Sequence, residues 1–540
     1  MKYYYNESGG TNVNGQNQAA GMCFDIKSTE RPPMVFRGAD FWLAAALLAC
    51  GFLYWNFILD RQLGLGITIF AAVLCTVTWI YLRAVGIHQN RKSVIWLALT
   101  AVSALQFAIF DGYDIKFLNL LFISGSFLLW VTHSTGRSLD IRLSIYTLWD
   151  LLNQLFMVPL SNLTCGYFSL KKGLGGNRHS RNALYMAAGV VIFLPLMVFV
   201  ISQLSQADAA FEEMLAQMMA LLSWNTLLTH LMQFVIGMPV AAYLFGSIYG
   251  NATGRNIEAM NRQSIERFNT SISFAPKITV YTVMALFNLI YLAFFLSQTA
   301  YFLSAFQNLL PETFTYAEYA RRGFFELCKV SAVNGLLIML ANAFIRKGDR
   351  GPGGYRMPML LRVQTGLLAI LTMGLIATAL RKMVLYISFY GLTQLRVYTS
   401  WFMVLLFFAF AVALIRQIKS FNSSRILLIG FMVGFMVLAY GNVDGNIAKY
   451  NIENYESGKL ESIDYAALFR LSDGAAVYLD RWYDKTEDEE AKKLVYNYMV
   501  YGNAEGLPMY QERDFRDFNL QSSIKESLGS LRVSEGPPQP

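Results

Sequence analysis

Apolar residues in this chain do not alternate with polar ones; they gather into long blocks. Eleven such blocks run over approximately 41–59, 63–82, 94–110, 117–131, 183–204, 225–249, 278–298, 324–344, 360–379, 397–415 and 426–440. At about 1.5 Å rise per residue, helices of this length cross roughly 30 Å of hydrocarbon. Lipid offers no partner to an open backbone, so each block must be helical. The pattern predicts an all-α integral membrane protein. Its parts are a polytopic bundle of about eleven transmembrane helices (38–440) and a small helical extracytoplasmic domain (441–520). Residues 1–37 and 521–540 read as disordered tails, the first cytoplasmic.

Two connecting stretches are amphipathic. In 139–158 the polar residues Asp140, Ser144, Thr147, Asp150 and Gln154 recur at helical steps, opposite Leu143, Leu148, Leu151, Leu152, Leu155 and Phe156. That stripe suits a helix lying in the cytoplasmic interface, or equally one packed on the bundle. The stretch 211–222 has the same two readings at the outer interface. Within 441–520, the segments 463–469, 473–483 and 487–501 read as short helices of an irregular repeat.

Charge orients the bundle. With the N-terminus inside, the inner segments hold 25 Lys and Arg and the outer loops seven. This is the bias expected of a protein of the bacterial cytoplasmic membrane, and with eleven crossings it puts the C-terminus outside. Residues 441–540 carry 11 basic and 18 acidic side chains (net −7), against 33 and 18 (net +15) for the rest. The overall +8 therefore reflects membrane topology and does not indicate a nucleic-acid partner.

Composition narrows the chemistry. Hydrophobic residues make up 55% and charged residues 15%, where a soluble domain carries about a quarter charged. The five cysteines and four histidines are scattered without metal-ligand or paired spacing, so no metal, cofactor or disulfide framework is expected. The glycine-rich run 173–176 lacks the Lys-Ser/Thr of a phosphate loop, and no catalytic residue set appears. Within the spans, Thr226, His230 and Gln233 share a face of the sixth block. They suit either a polar path or interhelical hydrogen bonds of about 1 kcal/mol or less.

Several segments carry a resemblance. They are 316–327 (YAEYARRGFFEL), 390–398 (YGLTQLRVY), 442–451 (NVDGNIAKYN), 463–475 and 514–519 (DFRDFN). Together they resemble the bacterial multi-pass membrane family catalogued only as a domain of unknown function, family 4173 with its 4153 relatives. Val443 and Phe515 depart from the family pattern, which has Pro and often Trp there. The resemblance implies location and architecture and brings no chemistry.

By the charge pattern these segments all fall at the outer face, which predicts one shared site. Its candidates are Tyr316, Arg322, Glu326, Tyr390, Thr393, Arg396, Tyr398, Asn442 and Asp444, with Arg396 and Glu326 as an ion pair. The same cluster also suits a seam that docks the C-terminal domain. Three function classes follow. The first is a sensory or assembly protein binding an extracytoplasmic ligand or a membrane or cell-envelope protein. The second is a transporter, and the third a membrane enzyme acting on lipid or glycan carriers.

Overall fold

In hydrocarbon the peptide groups of each segment must pair within that segment, and this dictates most of the architecture. The computed structural model describes residues 34–174, 199–215, 224–255, 261–297, 324–346, 358–502 and 514–537, apart from positions 60, 61, 141 and 209, with isolated positions between 189 and 197. The chain divides into a unit of residues 1–35 and a body of residues 36–540; all that follows concerns the body.

Ten helices among the described residues are long and apolar enough to cross a membrane. They are α1 (Gly38–Tyr54, continued by a π-helical turn at Trp55–Leu59), α2 (Leu65–Ala84), α3 (Arg91–Ile109), α4 (Tyr113–Ser134), α8 (Trp224–Thr253), α10 (Lys277–Ser297), α11 (Phe324–Phe344), α12 (Met359–Tyr390), α13 (Gln394–Ile418) and α14 (Ser423–Tyr440). Shorter helices α5 (Tyr146–Leu152), α6 (Val158–Ser161), α7 (Cys165–Gly173) and α9 (Arg262–Ser271) lie between them. The described part is all-α, with one isolated bridge between Ala275 and Ile345. The chain is a multi-pass membrane protein. The blocks 183–204 and 211–222 fall largely outside the described residues.

Contacts sort the helix ends into two sets. At one end Asn90 bonds the carbonyl of His133, Lys172 that of Phe36, Asn162 that of Arg255, and Asn422 that of Leu143. Among the described residues, Lys92, Arg137, Lys172, Arg255 and Arg425 lie beside these contacts, so this is the basic end. At the other end the α1–α2, α3–α4 and α12–α13 connections and the close of α14 all meet the C-terminal helices, here called the cap.

Helix starts are written locally. Asn90, Asn261, Thr393, Asn422, Asp464, Asp488 and Asn519 each cap a first turn through a side-chain oxygen. Small residues then set the closest approach: α1 and α8 run antiparallel and touch at Gly51 and Gly237, where an added Cβ on Gly51 would lie 2.2 Å from the Gly237 carbonyl oxygen. Between α3 and α4 the buried groups pair side by side, Thr100 with Ser126 and Asn119 with both Ser103 and Gln106. Such bonds contribute about 0.6–2 kcal/mol each in a bilayer. Outward-facing residues are apolar, as Ile278, Leu286, Leu289 and Leu296 are on α10, which is the face lipid solvates.

The amphipathic stretch 139–158 packs on the bundle with its polar stripe inward. Thr147, Asp150, Asn153 and Gln154 are buried while Leu148, Leu152, Phe156 and Leu160 are exposed. Gln154 and Asn251 of α8 exchange amide hydrogen bonds, and the Asp150 carboxylate accepts from the Leu139 backbone N–H. The cytoplasmic-interface reading had this polar side facing water. Buried partners on α8 and at Leu139 reverse it.

The cap comprises α15 (Val443–Glu456), α16 (Tyr465–Leu468), α17 (Ala476–Lys485), α18 (Glu489–Tyr501) and α19 (Leu520–Glu535), with 3₁₀ turns at Asp473–Ala475 and Phe515–Asp517. Its core of Ile447, Leu468, Leu479, Trp482, Val495 and Met499 is continuous with Phe435 and Leu438 of α14. Helix α19 corrects the reading of 521–540 as a disordered tail. Its buried face is Ser522, Lys525, Gly529 and Arg532, so no apolar stripe marks its inner side. Ion pairs hold it instead: Lys525 to Asp473 at 2.7 Å, and Arg532 to Asp480 at 2.8 Å and Asp484 at 2.7 Å. Asp484, together with Asp480 and Glu535, pushes the Arg532 guanidinium above its ordinary pKa despite partial burial.

Candidate functional site

The tip between α12 and α13 begins the site. Gly391 sits at φ 71°, a left-handed conformation, and an added Cβ there would fall 2.5 Å from Oδ1 of Asn451. This close approach lets Asn451 bind both backbone groups of Leu392: its Oδ1 accepts from the N–H at 2.6 Å, and its Nδ2 donates to the carbonyl at 2.9 Å. Next in the chain, Thr393 caps α13, and Gln394 donates to Asp444 at 2.8 Å.

A second strand of contacts comes from the start of α15. Asn442 adopts a left-handed φ of 43° and caps α15, while its Oδ1 accepts from Gln521 at 2.7 Å. Asp444, 4% exposed, also accepts from the Ser472 backbone N–H at 3.1 Å. Gln521 in turn accepts from the Asp111 N–H in the α3–α4 connection.

Around Asp111 the charges are matched. Its carboxylate lies 3.3 Å from Lys116 and accepts from Asn519 at 3.1 Å. Asp473 receives Lys525 and the Ser522 hydroxyl, both at 2.7 Å, and the Lys525 ammonium lies 3.9 Å above the Tyr498 ring. The 514–519 segment closes the junction from the other side. Asp517 accepts from the Gln62 N–H, Arg516 donates to the Asn56 carbonyl, and Leu65 donates to the carbonyl of Phe518. A small crevice with room for little more than a water molecule remains among Gln106, Asn442, Asp444, Ser472 and Gln521.

The sequence candidates separate as follows. Asn442 and Asp444 are central, and Thr393 holds the adjoining helix start. Tyr398 packs against the cap's apolar core. Arg396 does not meet Glu326. Its guanidinium lies 4.1 Å over the Tyr386 ring and donates to the carbonyls of Tyr390 and Gly391, closing the last turn of α12. Tyr390 stands beside Tyr386, and Glu326 is exposed in the first turn of α11. Tyr316, Arg322 and the side chain of Thr226 lie outside the described residues. In the bundle His230 bonds Gln233, and Gln233 bonds Asn56 at 3.0 Å in the π-helical turn of α1.

Sequence reasoning missed Asn451, Asp473, Gln521 and Lys525. Asn451 and Asp473 lie inside quoted segments, where a polar residue on an otherwise core-forming helix face was the available signal. Gln521 and Lys525 gave none, because their hydrogen-bond partners are 52 to 410 residues away. Chemically, this arrangement holds two bodies together. Its charges are largely paired, and most of its amides bind backbone.

Residues 94–482 match the model of the family described as "Domain of unknown function (DUF4153)". The match takes in the 390–398, 442–451 and 463–475 segments and stops short of 514–519. No curated protein and no solved structure matches the chain.

Proposed function

This chain belongs to the DUF4153 family, and on that footing we propose that it is a bacterial plasma-membrane protein whose clamped outer cap binds a ligand or partner of the cell envelope. The observation that carries this reading is the convergence of three family-type segments, distant in sequence, on one junction. Their polar groups fix the cap to the spans at Leu392, Asp444, Asp111 and Gln62. A rigid mount of this kind transmits what happens at the cap's surface to α3, α12 and α13, which is what a sensory or assembly protein requires. The basic end is the cytoplasmic one in this proposal, since Lys and Arg concentrate there.

In-cell photocrosslinking from exposed cap positions such as Glu456 and Lys459 tests it. One reproducible envelope partner is the expected result. Labelling by cytoplasm-confined reagents of a tag after Pro540 would overturn the orientation and the outer binding role together. Transport is the second reading, favoured by the His230–Gln233–Asn56 hydrogen-bond chain, which runs from an exposed histidine through the buried Gln233 and leads to Arg516 of the cap. Solute flux in liposomes that disappears on Gln233→Leu would support it over the first.

A further inference from the structure

The buried side of α19 is polar, and one strip of its exposed side is apolar. Its buried side is Ser522, Lys525, Gly529 and Arg532, while Leu520, Ile524 and Leu531 are 48%, 36% and 59% exposed. These three project within about 40° of one another at 3.6 residues per turn. The preceding turn continues the patch, with Phe515 60% and Phe518 42% exposed. A helix whose exposed side faced water alone would keep such apolar residues on its buried side.

The level of this patch relative to the spans is fixed. The Phe518 carbonyl accepts from Leu65, the first residue of α2, at 2.8 Å. Arg516 reaches the Asn56 carbonyl at the end of α1, and Asn519 and Gln521 bond Asp111 between α3 and α4. Residues 516–521 therefore lie where the spans leave the hydrocarbon, with Phe518 and Leu520 exposed at that level. Lipid is the one partner whose apolar boundary runs at that height around the protein. A soluble partner would have to desolvate charged headgroups to reach the same residues.

We infer that α19 and the 515–518 turn form an interfacial anchor, with Phe515, Phe518, Leu520, Ile524 and Leu531 set into the headgroup–acyl boundary. The depth expected for such a face is about 5–10 Å. The polar side of the same helix carries the ion pairs that hold the cap, so the bilayer surface and the cap share one helix.

The full chain in nanodiscs tests this with a fluorescent non-natural residue, spectrally distinct from tryptophan, placed singly at 518, 524 or 531, and at Glu456 as the water-facing control. Doxyl-labelled lipid is expected to quench the first three several-fold more than the control, and aqueous iodide to do the reverse. Strong iodide quenching at 524 and 531 would overturn the anchor. So would protection from both quenchers, which would put a second copy or another protein on that face. If the label at 518 disturbs folding, 531, which bonds nothing at the junction, still decides. Failure here leaves crosslinking from the cap's other surfaces free to succeed, so the two readings fail separately.

Discussion

Replacing Asn451 by Leu tests how strongly the cap is clamped. The side chain is 7% exposed and supplies both hydrogen bonds to the Leu392 backbone, at 2.6 and 2.9 Å. Leucine fills similar space but leaves one N–H and one C=O without a partner at a half-buried site. At about 1–2 kcal/mol for each, the clamp loses about 2–4 kcal/mol, or roughly 30- to 1,000-fold in the opening equilibrium. Hydrogen exchange with mass spectrometry on the protein in nanodiscs reads this directly. Amides of α15, α17 and α18 should exchange faster by that factor, with α3 and α4 unchanged. Asn454→Leu is the control, because the Asn454 side chain bonds the Tyr450 carbonyl of its own helix and takes no part in the tip contact. Equal exchange in the two variants would refute the reasoning, since the tip contact would then carry no share of cap stability.

Asp150 gives a pH prediction. Burial pushes its carboxyl up to about 7, the Leu139 N–H opposes this, and Asp140 adds to it. A raised folded pKa means stability present below about pH 4 and lost as pH rises through 7, at most about 4 kcal/mol. Asp150→Asn should match the wild type in thermal midpoint near pH 4 and exceed it at pH 8; an unchanged pH slope would contradict this. Gly237→Val should force α1 and α8 apart, since a Cβ there meets the Gly51 carbonyl oxygen at 2.4 Å; the readout is loss of a Cys crosslink between the two helices alongside a lower midpoint. Lys525→Met removes one member of a buried pair with Asp473 and should cost about 3–5 kcal/mol, with much of the loss recovered on adding Asp473→Asn. Thermal melts of the single and double variants check the coupling.

The spans were legible because lipid imposes a simple rule on long stretches, and runs such as 360–379 and 397–415 obey it without help from distant residues. Lys and Arg likewise sorted the loops into the two ends that contacts now join. The junction was legible in part: Asn442, Asp444 and Thr393 sit in segments with a recognisable pattern. Arg396 was assigned the wrong partner because a guanidinium near a helix end can satisfy itself on local carbonyls, as it does on Tyr390 and Gly391. Periodicity failed where polarity was inverted. In α5 and α19 the buried stripe is polar, and a search for apolar faces points such helices the wrong way round.

The bond from Leu65 to Phe518, and that from Gln62 to Asp517 across 455 residues, have a consequence for biogenesis. A ribosome delivers spans α1 and α2 some 455 residues before the segment that latches them. Until then their connecting loop stands open. Chains cut short after Tyr440 would insert yet stay unlatched, a signature that membrane quality-control proteases can read.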